Sequence, residues 1–121
     1  MDVQDEMVQN FLLEASQYLD IVLIQDYIAE DAPWYDAIIT DGVSGLDLVS
    51  FIQLGIVPII SRTHPLIESF REFDPMKFEG NAFIYETVNP YLIFEKLIRY
   101  LENIAYAGDK RTLINNVNKT F

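Results

Sequence analysis

Residues 35–41 read Tyr35-Asp36-Ala37-Ile38-Ile39-Thr40-Asp41. The run Ala37-Ile38-Ile39 is too short for a helix, rich in β-branched residues and closed on both sides by polar ones, the pattern of a strand buried on both faces. Strands of that kind belong to parallel sheets, which take their ligands in a crevice at the carboxyl ends of the strands. Asp41 stands at that end, followed by Gly42 and a loop, so any chemistry is expected near Asp41.

On the amino-terminal side, Asp2-Val3-Gln4 reads as a clipped strand with Asp5 and Glu6 directly after it. Val8, Phe11, Leu12, Ala15 and Leu19 recur at helical spacing, predicting an amphipathic helix over about 6–18 with Asp5 as N-cap. Ile21-Val22-Leu23-Ile24 reads as a second buried strand. Between Asp26 and Pro33 there is room for two helical turns at most, so the second helix is short or missing. Trp34 is expected in the core or at its rim.

On the carboxyl side, Leu46, Leu48, Val49 and Ile52 mark a helix that Gly55 ends. Residues 57–60 form the next buried strand, with Pro58 near its start, where proline is tolerated. Pro65 opens a helix with Leu66, Ile67, Phe70 and Phe73 on one face, which leaves His64 as a surface residue at a helix start. Ala82-Phe83-Ile84-Tyr85 is the last strand. Asn89 caps and Pro90 opens a final helix, with Leu92, Ile93, Leu97, Leu101 and Ile104 on its apolar face. The alternation predicts an α/β, doubly wound, flavodoxin-like fold with a five-stranded parallel sheet. Residues 1–107 make the domain, and 108–121 read as a polar tail or linker.

The 121 residues hold no cysteine, which removes disulfides and thiolate chemistry and fits a reducing compartment. The acidic amino terminus does not resemble a signal peptide, and no apolar run approaches the roughly 20 residues that cross a bilayer. A cytoplasmic protein without membrane insertion is expected. Net charge is -11, and Arg62 is the first basic residue in the chain. That balance argues against nucleic acid as a partner. The single histidine, read as a surface residue, leaves no multi-histidine metal site and no triad with a histidine base. Gly42 and Gly45 match neither the phosphate-binding loop nor the dinucleotide fingerprint.

Asp5-Glu6 before a helix, Tyr35-Asp36-Ala37-Ile38-Ile39-Thr40-Asp41, the stretch Val57 to Thr63 and the stretch Phe83 to Leu101 follow one another in an order that resembles the receiver domains of bacterial two-component signalling. The resemblance covers about residues 3–105. It implies that Asp41 is the phosphoacceptor position, Thr63 the hydroxyl that bonds the phosphoryl group, and Phe83 the aromatic switch position. It also implies weak Mg²⁺ binding by Asp5, Glu6 and Asp41, with a histidine kinase or other signalling protein as partner. A homodimer would form through residues 65–73, 82–85 and 90–105.

The sequence departs from that pattern at three places. Gln4 and Asp5 stand in register with the family's two metal-holding acids, so one is neutral. Glu86 replaces the lysine that pairs with the acceptor carboxylate, and the loop after Asp41 is about five residues short. Two unit charges about 4 Å apart, at an effective dielectric near 20, interact by roughly 4 kcal/mol, and Glu86 reverses the sign of that interaction. Glu86 also reads as a solvated loop residue, and Asp5, Glu6 and Asp41 as solvated strand ends. Three classes stay open: a degenerate receiver acting by protein–protein interaction, a working receiver phosphorylated on Asp41 with Mg²⁺, and an acidic α/β binding domain unrelated to receivers.

Overall fold

The computed structural model describes residues 1–121, apart from the side chain of Ala29. Its sheet has three parallel strands, β1 (Ala37–Thr40), β2 (Val57–Ser61) and β3 (Phe83–Tyr85), in the order β1-β2-β3. The register sets Ile39 beside Ile59 and Ile60 beside Ile84. Four helices accompany it: α1 (Glu6–Ser16), α2 (Leu48–Gln53), α3 (Pro90–Ile104) and α4 (Ala107–Asn118).

The expected five-stranded sheet is therefore corrected to three strands, and the two missing ones fail for a shared reason. Asp2 forms a single parallel bridge with Thr40, and helix α1 begins four residues later, so the first strand never lengthens. Residues 21–24 then have no strand of useful length to pair with. Their tie to the sheet is the Ile24 carbonyl, which accepts from the Met1 amino nitrogen at 2.6 Å, while Val22 is 86% exposed. β-branched composition favours a strand only where a neighbour exists to pack and pair with.

The elements that do form follow local rules. Asp5 caps α1 by accepting from the Val8 amide at 3.1 Å, and Asn89 caps α3 by accepting from Tyr91 and Leu92. Pro90 occupies the first turn of α3, where an amide hydrogen would have no intrahelical partner. Pro58 is accommodated within β2 because the Val57 amide points to β1, donating to Asp36. The missing Pro58 amide would point the other way, just before the β3 ladder begins at Ile59.

Two segments differ from their expected form. The helix expected from Pro65 to Phe73 is a single 3-10 turn, Ile67–Ser69. The Arg71 carbonyl accepts from Asn81 and Ala82, and Glu72 bridges Ala82, so the backbone is drawn out along the strand edge before a helix can propagate. The tail expected at 108–121 is helix α4, with Leu113 and Val117 fully buried. A short 3-10 segment, Ala29–Trp34, stands where the second helix was expected to be short or missing.

Helix α1 packs with α3 and α2 with α4, and both α3 and α4 reach β2. All five residues of β2 are buried, which makes it the centre of the core. Phe11 meets Tyr91 and Phe94 edge-on at 5.1 and 6.1 Å, joining α1 to the first half of α3. Among the described residues no helix is long and apolar enough to cross a membrane.

Candidate functional site at the carboxyl edge of the sheet

Asp41 is placed as the sequence implies, one residue past the end of β1, but it faces inward. It is 6% exposed; one carboxylate oxygen accepts from the Gln4 amide at 3.1 Å and the other from Val43 at 3.0 Å. Beside it lies a second acid that sequence reasoning passed over. Asp2 is 3% exposed, and its two oxygens accept from the Thr40 hydroxyl at 2.6 Å and the Ser44 hydroxyl at 2.7 Å. Main-chain bonds join the pair, the Asp2 amide donating to Ile39 and the Asp41 amide to Asp2. Buried carboxylates persist when their oxygens are hydrogen-bonded, and these are.

The expected position of His64 on the surface is also corrected. The ring is 6% exposed, and its Nδ1 accepts from the Leu66 amide at 3.0 Å. An accepting Nδ1 carries no proton, so the geometry selects the neutral imidazole with its hydrogen on Nε2. Burial lowers the imidazole pKa from its usual value, and the Asp2 and Asp41 carboxylates pull against that shift. The close approach of Gly42 makes room for the ring: a Cβ built there would lie 2.8 Å from His64 Cδ2, and the Gly42 φ of 79° disfavours a side chain in any case. Tyr85, from β3, donates to the Thr40 carbonyl at 2.8 Å. Burial, then Asp41 and Asp2, raises its phenol pKa.

The other residues singled out from sequence make no hydrogen bond with the acid pair's side chains and are engaged elsewhere or exposed. Thr63 is exposed, its hydroxyl 2.8 Å from that of Ser61. Glu86 is exposed and pairs with Arg62 at 3.1 Å, so a cation on the adjacent strand end balances its charge. Such an exposed pair contributes little to stability. Phe83 is fully buried between Phe73 and Tyr100, at centroid distances of 6.2 and 6.0 Å, and serves the core as found. Asp5 is occupied in capping α1, and Glu6 is exposed in its first turn. Among the described residues no group of three or more acids and histidines is arranged to hold a metal ion, so Asp5, Glu6 and Asp41 are not gathered into one.

The edge therefore has buried Asp2, Asp41 and His64, with the exposed Ser44 bonded to Asp2, while Arg62, Thr63 and Glu86 are exposed just past the ends of β2 and β3. Two carboxylates beneath the surface repel an incoming anion and leave hydroxyl-rich neutral ligands unopposed. Asp41 was legible because it ends the strand that decides the fold. Asp2 and Ser44 were not, since they meet across 42 residues of sequence.

No family model matches the chain. It is similar to the glycogen synthase of Kosmotoga olearia, at 30% identity over 73 residues, which is 60% of this chain. The match covers 14% of the length of that protein.

Proposed function

We propose that the chain is a non-catalytic α/β binding lobe of the kind found within a glycogen synthase, and that the carboxyl edge of its sheet receives a glucan. The observation that carries this reading is the pair of buried acids at the strand ends, one of them bonded to the exposed Ser44 hydroxyl, which favours a neutral polyhydroxyl ligand over a phosphorylated one. The likeness to glycogen synthase supports the choice of ligand class. Parallel α/β sheets take ligands at this edge, which agrees with the location.

The test uses the single histidine as reporter. Titration with maltoheptaose should shift the imidazole signals of His64 in proton spectra, and Ser44→Ala together with Thr63→Val should weaken that response. If glycogen and maltoheptaose leave the His64 signals and the electrophoretic mobility unchanged, the glucan reading fails.

A second reading, a receiver-like signalling domain acting by protein–protein interaction, is favoured by the position of Asp41 at the end of β1 and of Thr63 just past β2. Weak Mg²⁺ binding, a histidine-kinase partner and self-association through residues 65–73, 82–85 and 90–105 belong to this reading. The buried and hydrogen-bonded Asp41 argues against its phosphorylation, as does the absence of the lysine. Adding beryllofluoride to the protein already equilibrated with Mg²⁺ should therefore leave the amide spectrum unaltered. A stable adduct lost in Asp41→Asn would replace the first reading with a working receiver.

A further inference from the structure

A separate concave feature has neither Asp2 nor Asp41 in its lining. It is a groove of about 800 Å³ between residues 19–24 and the second half of α3, with β1 at its base. Its α3 wall is built from Leu97, Leu101 and Ile104, spaced i, i+4 and i+7. Helix α1 covers the first half of α3 through Phe11 but ends at Ser16, and neither α1 nor α4 contributes a residue to the groove lining. Val22 and Trp34 line the same groove and are 86% and 84% exposed. Clustered exposure of large apolar side chains around a concave surface marks an interaction site.

Apart from the Met1 amino terminus, which is tied to the Ile24 carbonyl, the charged groups lining it are acidic. Asp20, Asp31 and Asp36 line the groove and are exposed, and no lysine or arginine is among its described lining residues. The chain from residue 1 to 61 has no basic side chain to oppose them. We infer that this groove docks a basic amphipathic helix of a partner protein, its apolar face against Leu97, Leu101 and Ile104 and its lysines or arginines facing Asp20, Asp31 and Asp36. A helix is favoured over a strand because the open apolar stripe belongs to a helix whose first half already packs in that way. Anchors at i, i+3, i+4 and i+7 are how such helices fill apolar grooves. Acids around the rim govern approach and selectivity more than affinity, whereas the apolar contacts hold the complex together.

Trp34 is the only tryptophan, so its emission reports on this groove alone. The probe is a leucine–lysine peptide of about 18 residues, five helical turns, with leucines on one face. It should shift Trp34 emission to the blue, saturably and at one peptide per chain, without moving the His64 signals that report on the sheet edge. A leucine–glutamate counterpart should bind about tenfold more weakly or worse. Val22→Glu should abolish the shift while the unfolding transition is retained, and Asp20→Asn, Asp31→Asn and Asp36→Asn together should weaken binding and reduce its salt dependence. Equal binding of a scrambled leucine–lysine peptide with no apolar face would overturn the proposal, as would Trp34 emission that does not respond. Sedimentation of the free protein as a dimer that Val22→Glu dissociates would give the groove to a second copy, and would also overturn it.

Discussion

His64 gives the clearest prediction about a single side chain. The folded protein holds the imidazole below its ordinary value of 6.5, whereas the unfolded chain takes up a proton near 6.5. This contribution to stability is therefore fully present above pH 6.5 and is lost as the pH falls through the lowered folded value. Urea midpoints for the wild type should drop between about pH 7 and pH 5 more than those of His64→Gln do. An equal drop in both proteins would place the acid sensitivity elsewhere. Thr40→Val tests the neighbouring acid: it removes the donor held 2.6 Å from Asp2 and leaves a buried carboxylate oxygen short of a partner. Such losses cost roughly 1.5–3 kcal/mol, measurable by urea unfolding at neutral pH. Gly80→Ala should be worse tolerated than a change on any exposed loop, since its φ is 94° and a Cβ would stand 2.2 Å from the Glu72 carbonyl oxygen. Near-wild-type stability there would mean that the loop can rebuild itself.

Helix α4 is the element that composition concealed. Its residues are mostly polar, and the two that matter, Leu113 and Val117, are spaced i and i+4 within a run rich in asparagine. Two apolar positions are too few to show a helical period, so the stretch read as a tail, yet both side chains reach the core against β2 and α2. The same helix and the residues just after it hold the loop before β3: Asn116 donates to the Gly80 carbonyl at 2.9 Å, and Asn81 donates to the Thr120 hydroxyl at 2.7 Å. Leu113→Ala should therefore destabilise the whole protein by roughly 2–5 kcal/mol, read as a shift in the urea midpoint. A change well under this range would show that α4 packs loosely. The strands were legible to different degrees for a related reason. β1 and β2 are continuous apolar runs with paired neighbours, and their existence follows from local sequence. Residues 21–24 are just as apolar, but their pairing depends on a strand at residues 2–4, and the start of α1 cuts that strand short. Tyr100 shows the same limit within a helix: it was assigned to a contact surface, but it is 6% exposed and its ring lies 6.0 Å from Phe83. Its phenol pKa is pushed up to about 12 by burial, with Asp36 adding to the rise.

The charge distribution divides the molecule as a whole. Every basic residue lies at or beyond Arg62, while the groove proposed to dock a basic helix is lined mainly by the earlier half. Attraction between exposed charges is screened over about 8–10 Å at ordinary salt, so capture of a basic partner should slow as salt rises while the apolar contacts persist. Stopped-flow Trp34 traces with the leucine–lysine peptide should show a falling association rate and a nearly constant dissociation rate. A dissociation rate that carries most of the salt dependence would argue that the charges hold the complex together. The position of α4 adds a consequence for synthesis. Leu113 and Val117 close the core over β2, yet they follow it by more than fifty residues. A nascent chain thus displays its apolar interior until the ribosome has released nearly all of α4, and that is the interval in which a chaperone would bind it.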